Sequence, residues 1–288
     1  MVNNYLITNE ELTVTVSSKG AEIISIRDNK TGFEYIWQGD DAIWSDHFYN
    51  IFPICGRLLN DVYVVGNNQY RMNLHGFALY KVFKVKKHTE NFISLSINED
   101  DETIKIYPYK FTFTVNFKLV NRTLIIEYEV ENNDKIKMYY SLGAHPGFNL
   151  IINNEIKFDD YYIETQEKKI RKFTLNEQRI IKKGSEIIKS NTIQLSREMF
   201  QKSAQIYETD SDIVNLKCKK SDFKITLSHL DEFKYLTLFS KGDAPILCIE
   251  PWGSLTMFEE EKPNLEHREG FIKLLPKEKK ITYFMLEV

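Results

Sequence analysis

Three segments of this 288-residue chain set a chemically able side chain beside Gly or Pro, residues that interrupt regular pairing and hold loops at strand ends. The first is Phe52-Pro53-Ile54-Cys55-Gly56-Arg57, with Leu74-His75-Gly76-Phe77 downstream. Arg57 offers a planar fork of donors that suits vicinal hydroxyls or a carboxylate. His75 offers a ring nitrogen where the backbone can turn freely. The second is Gly143-Ala144-His145-Pro146-Gly147-Phe148-Asn149. A residue before Pro is held extended or in a turn, so the His145 ring has a restricted direction. An imidazole titrates near neutrality, which suits a general acid. The third is Leu247-Cys248-Ile249-Glu250-Pro251-Trp252-Gly253. A carboxylate that ends an apolar strand beside Trp252 would have its pKa raised and become a better base near neutral pH. Trp252 itself has a broad face for the CH surface of a sugar ring. Each residue also has an ordinary reading: Arg57 in an ion pair, His75 as an interior histidine, His145 as a turn residue, Glu250 as the partner of a lysine. The residues alone leave both readings open.

Other chemistries find less support. His75, His145, His229 and His267 could supply metal ligands, but no HxH, HExxH or CxxC spacing is present, so no metal site is expected. A glycosidase needs two facing carboxylates; Glu250 with Asp210 is a candidate pair that spacing cannot place. No GxSxG or GxxxxGK[ST] occurs, which leaves a serine hydrolase of the elbow type and a P-loop enzyme without support.

The elements that must carry these residues read as strands. Phe111, Phe113, Val115, Phe117 and Leu119 alternate with polar residues, and Leu124, Ile126, Tyr128 and Val130 alternate with glutamates. With Asn121-Arg122 as the turn, they form a hairpin with one wet face. Shorter strands fit Leu12 to Val16, Glu22 to Ile26, Phe33 to Trp37, Val82 to Lys86, Phe92 to Ile97, Phe223 to Leu227, Tyr235 to Phe239 and Ile246 to Glu250. The one helical candidate is Arg197 to Ala204, with Ser196 as N-cap. The lysine-rich stretch from Glu167 to Ser190 has no clear period and reads as a surface excursion between strands. No βαβ alternation is present, so the expected fold is all-β, a large antiparallel β-sandwich over residues 1–288 as one domain. Sixteen Tyr and nineteen Phe suit pleated faces. A net charge of -3 gives no general attraction to nucleic acid or an anionic membrane. No apolar run is long enough to cross a bilayer. The N-terminal residues carry no secretory signal pattern, and Cys55, Cys218 and Cys248 are odd in number and far apart, so a cytoplasmic location is expected.

Taken together and in order, the pieces Phe52–Leu58, Leu74–Ala78, Gly143–Asn149 and Cys248–Trp252 resemble the aldose 1-epimerase (galactose mutarotase-like) family, closest to its LacX-like bacterial branch. Gly20–Ile26, Tyr35–Asp40, Glu269-Gly270 and Leu275-Pro276 extend the resemblance over nearly the whole chain. The resemblance implies a β-supersandwich with a sugar in an open cleft. It implies Glu250 as catalytic base and His145 as catalytic acid, with Arg57 and His75 binding the substrate. It implies a sugar-binding aspartate, for which Asp210 is the first candidate and Asp212 the second. Trp252 is expected to bind substrate as well. Neither metal nor organic cofactor is needed for such chemistry, and the partner is a small sugar. Two departures bear on substrate preference: Trp252-Gly-Ser-Leu-Thr-Met-Phe258 lacks the aspartate usual after this tryptophan, and Leu79-Tyr80 replaces a common Arg-Asp pair. A hexose-6-phosphate 1-epimerase and a non-catalytic sugar-binding module are the alternative functions.

Overall fold

The computed structural model describes residues Met1–Val288 as two large antiparallel sheets with smaller ones at the edges. The nine-stranded sheet holds the long hairpin Phe111–Val120 and Thr123–Asn132, flanked by Phe92–Asn98 on one side and by the central strand Lys279–Glu287 on the other. Its alternation is the one the sequence shows: Phe111, Phe113, Val115, Phe117, Leu124, Ile126, Tyr128 and Val130 are all buried. The seven-stranded sheet runs in the spatial order Glu186–Ile188, Ile170–Phe173, Gln205–Glu208, Tyr235–Phe239, Ile246–Trp252, Gly143–Asn149 and Phe48–Ile51.

The facing sides of the two sheets share one apolar cluster of 64 buried residues. Phe52 stacks on Phe113 at 4.5 Å between ring centroids, and the Tyr128 hydroxyl donates to Asn50 Oδ1 at 2.8 Å, so both apolar and polar contacts cross the interface. Burial of these aromatic faces is the main force that clamps the sheets. Strand Ile246–Trp252 is buried at every position because Leu247 and Ile249 join this core while Ile246 and Cys248 pack against Trp37, Ile43 and Trp44 on the other side.

Several expectations need correction. Residues 33–37 form only isolated bridges, Arg27 to Glu34 and Ile36 to Phe148, because Glu34 turns its carboxylate back onto the Ile26 and Ile36 amides. Residues 197–204 hold just a 3-10 turn, Glu198–Phe200, with no side-chain cap; the Arg197 guanidinium instead reaches Ser240 and the Asp243 carbonyl. The strand expected at 82–86 begins two residues later, as Lys84–Thr89. The aperiodic stretch 167–190 contains Ile170–Phe173 and Glu186–Ile188, two short strands at one edge of the seven-stranded sheet. No helix is long and apolar enough to cross a membrane.

Candidate active site

One transverse row of the seven-stranded sheet forms the floor of a cleft of about 940 Å³. Strands Gly143–Asn149 and Ile246–Trp252 are neighbours, and their register pairs Gly143 with Trp252 and Gly147 with Cys248. That register sets position 145 opposite position 250. On either side, Tyr49 pairs with His145 and Thr237 pairs with Glu250, and Ile206 pairs with Thr237. Cross-strand partners project to the same face, and Tyr49, His145, Glu250, Thr237 and Ile206 all line the cleft. Pro146 and Pro251 follow the two titratable residues directly and have no N–H to donate. Between Gly143 and Gly147 the ladder to the neighbouring strand is interrupted. The pleat therefore opens locally at the two side chains that could handle protons.

His145 Nε2 lies 3.2 Å from Glu250 Oε2, and the Glu250 side chain is 1% exposed. Burial pushes the Glu250 carboxyl well above its ordinary range and the His145 imidazole well below. Both shifts favour neutral forms, as desolvation must. Neutral carboxyl and neutral imidazole are thus the favoured forms of this buried pair. The two candidate proton-handling groups therefore stand side by side on one face of the sheet.

Aromatic walls fix the His145 ring. Trp44 stacks on it at 5.0 Å and 28°, and Tyr49 approaches to 4.6 Å. Trp44 can come this close because residue 147 is glycine: a Cβ there would sit 2.4 Å from the Trp44 ring. Half-buried Trp44 also presents a face in the cleft. Trp252, by contrast, is 4% exposed and packs T-shaped against His75 at 5.2 Å, so little of its surface is open to the cleft.

His75 and Arg57 enter from two loops that grip each other. The His75 amide donates to the Gly56 carbonyl at 2.9 Å, and the Gly56 amide donates to His75 Nδ1 at 3.3 Å. Residue 76 must be glycine for this to happen, with φ of +76° and a would-be Cβ 2.3 Å from the Phe52 carbonyl oxygen. Burial and the charges of Arg179 and Arg57 hold the His75 pKa down to about 3. The ring is thus neutral, and with Nδ1 accepting it carries its proton on Nε2 as a donor. Arg57 Nε stands 3.5 Å from Asp61 Oδ1.

Asp210 stands apart from the cleft. It is exposed beyond the end of Gln205–Glu208, a strand that presents Ile206 to the cleft, and it does not line the cavity. Asp212 is no substitute: its carboxylate accepts the Leu230 amide at 2.9 Å. The second carboxylate in the cleft is Asp46, whose pKa burial and Glu22 raise. Sequence reasoning also missed Trp44, Tyr49, Thr237 and Arg179. None lies in a motif; only register and loop docking bring them in.

His75, His145 and Glu250 place possible ligand atoms within 4.8 Å of one another. Two ring nitrogens and a carboxylate oxygen are a donor set that suits a divalent cation such as zinc. They come from three separate segments, so short-range spacing could not reveal the group. A cation held there would occupy the same nitrogen and oxygen atoms that proton transfer needs.

The aldose 1-epimerase family model matches residues 3–268. The chain belongs to the aldose 1-epimerase family. It is 30% identical over 281 residues to the chromosomal LacX protein of Lactococcus lactis, covering 93% of each chain, and likewise to the plasmid LacX protein of that organism. A galactose mutarotase related enzyme from Lactobacillus acidophilus superposes with a TM-score of 0.94 at 30% identity, covering 99% of this chain and 97% of that one. A galactose mutarotase-like protein from Lactobacillus casei gives 0.92 at 25% identity, covering 99% of each. The fold of this aldose 1-epimerase family member is therefore the galactose mutarotase-like β-sandwich.

Proposed function

We propose that the chain interconverts the α and β anomers of a hexose, by acid/base ring opening and reclosure in this cleft and without a cofactor. One observation carries the reading. Nine buried polar side-chain atoms have no hydrogen-bond partner in the protein, and five belong to cleft residues: Arg57 Nε, His145 Nδ1, Thr237 Oγ1, Glu250 Oε2 and Trp252 Nε1. Buried polar atoms are nearly always paired, so such a convergence suits a ligand rich in hydroxyls.

Glu250 is the base and His145 the acid. A proton passes from the Glu250 carboxyl to His145 across their 3.2 Å separation, giving carboxylate and imidazolium with no change in net charge. A hydroxyl donated to the carboxylate favours this form. Glu250 then removes the proton from O1 while His145 delivers one to the ring oxygen. The C1–ring-oxygen bond breaks and C1 becomes an aldehyde. Rotation about C1–C2 presents the other face, and reclosure returns both protons. The two oxygens are bonded to the same carbon, so adjacent acid and base groups can serve both. Nothing is consumed, and each group contributes about 10²–10⁴-fold. Arg57, His75 and the Trp252 edge hold hydroxyls and fix the reacting geometry, and Asp46 is the cleft's second acceptor.

Polarimetry on freshly dissolved α-glucose and α-galactose tests this. Wild type accelerates the approach to equilibrium, chelator-treated protein does so equally, and Glu250→Gln loses about 100-fold or more. A wild type that leaves the spontaneous rate unchanged would identify a binding module instead. Activity that vanishes with chelator and returns with zinc would make the triad a metal site.

A further inference from the structure

Arg57 and Arg179 make a cationic corner of the cleft. Arg179 sits in the tight turn Asn176–Ile180, where the Asn176 side chain accepts the Gln178 and Ile180 amides and Arg179 takes a left-handed φ of 62°. This turn docks on the loop after Trp252 through the Ile181 amide to the Met257 carbonyl at 2.8 Å. The Thr256 hydroxyl joins both arginine segments: it accepts the Arg57 amide at 2.9 Å and lies 2.8 Å from the Arg57 carbonyl and 3.0 Å from the Arg179 carbonyl. Both guanidiniums act electrostatically on His75, which puts the corner on that side of the cleft.

These bonds fix the Arg57 backbone and leave the direction of its long side chain unset. Asp61 is the group placed to set it. Its Oδ1 lies 3.5 Å from Arg57 Nε, and both atoms are buried without a hydrogen-bond partner. Arg57 lines the cleft and Asp61 does not. A carboxylate so placed reaches a substrate only through the guanidinium.

The chain bends sharply to put it there. Asn60 and Asp61 are consecutive non-glycine residues with left-handed φ of 55° and 58°. Asn and Asp tolerate this conformation better than other side chains, yet still at a cost. Hydrogen bonds pin the bend: the Asp61 amide donates to the Leu58 carbonyl and the Met72 amide to the Asp61 carbonyl, each at 3.0 Å, and the Leu59 amide donates to Met257 Sδ at 3.1 Å. Both side chains of the ion pair are 37% exposed, and a pair so open to water stabilises a fold very little. Fold stability therefore does not account for the strained bend, whereas orientation of Arg57 does.

We infer that Asp61 is a positioning residue: its carboxylate holds the Nε edge of Arg57 and aims the two terminal nitrogens at sugar hydroxyls. A guanidinium already held in one orientation loses less freedom when the sugar arrives. The effect thus falls on binding and not on proton transfer. The inference rests on the anomer-exchange reading for where the sugar lies.

Exchange NMR at equilibrium on glucose and galactose tests it. Asp61→Asn keeps the shape and the left-handed φ but removes the charge. KM rises about fivefold at unchanged kcat. In an Arg57→Gln background the same substitution changes KM by less than about twofold, since the group it positions is gone. Should Asp61→Asn not fold, Asp61→Gly, which takes the same φ freely, replaces it in both backgrounds. A KM equal to wild type, a kcat that falls as KM rises, or the same rise in KM with and without Arg57 overturns the inference. If neither sugar exchanges, the anomer-exchange reading fails by itself, and NMR titration of the protein with the same two sugars decides the present one. Binding that Asp61→Asn weakens only where Arg57 is intact upholds it. Binding that is absent, unchanged or weakened in both backgrounds overturns it.

Discussion

The floor of the cleft and its cationic corner are built on opposite principles. The floor is a row across five paired strands, Ile206, Thr237, Glu250, His145 and Tyr49, whose relative positions follow from ladder register. The corner is made of three loops, carrying Arg57, Arg179 and Thr256, that are held by a few hydrogen bonds to one hydroxyl. Proton transfer demands sub-ångström placement, which strands inside a sheet supply. Substrate preference needs only that charges be near, and loops can vary without disturbing the ladder. The comparison teaches that reaction and preference in this molecule are mechanically separable.

Substitutions can break or sharpen that separation. The largest effect is expected on the floor. His145→Gln lowers kcat for anomer exchange by about 10²-fold or more, with the circular dichroism spectrum and KM ratios between sugars little changed. Gly147→Ala comes next. Its Cβ would meet the Trp44 ring at 2.4 Å and push Trp44 off His145. Denaturant unfolding should show a loss of about 1–3 kcal/mol, and kcat should fall although no titratable group is altered. In the corner, Thr256→Val keeps the shape and removes the hydroxyl. A loss of about 1–2 kcal/mol is expected from the unpaired Arg57 amide, together with a larger change in sugar preference than in kcat. A change confined to kcat would show the two regions to be coupled.

A pH slope reads the His75 side without any change in the reaction. His75 has a folded pKa of about 3, below its ordinary 6.5, and lies 6% exposed. Its contribution is fully present above pH 6.5. As pH falls toward 3 the unfolded chain binds the proton first, and stability drops by about 1.4 kcal/mol per pH unit. His145 acts in the same direction. Glu250, with a raised pKa, acts in the opposite direction, because the folded state takes up its proton first. The difference in unfolding free energy between wild type and His75→Gln, followed from pH 7 to 4, isolates the His75 slope.

How much of this was legible in the sequence differs between the regions in the same way. Strict alternation from Phe111 to Val130 fixes a hairpin because a half-buried strand must alternate, and the hairpin is there. Tyr235–Phe239 is found with its expected ends. His145 and Glu250 stand out beside Pro and Gly, but their contact depends on a register between strands about a hundred residues apart. That Asp210 lies outside the cleft is not legible locally, because an acid near a strand end looks the same whichever face it leaves by. Arg179 lay in a stretch with no period, and nothing local shows that its turn docks under Thr256. Residues 197–204 look helical only because their side chains are; Arg197 finds better partners across the chain.

The account stands on His145 and Glu250 acting as one proton-sharing unit, and a double-mutant cycle in anomer exchange measures that directly. The rate of the doubly substituted His145→Gln, Glu250→Gln protein should fall within a few-fold of the worse single variant, since removing either member disables the unit. Independent losses that multiply in the double variant, or a Glu250→Gln protein at the wild-type rate, would contradict it.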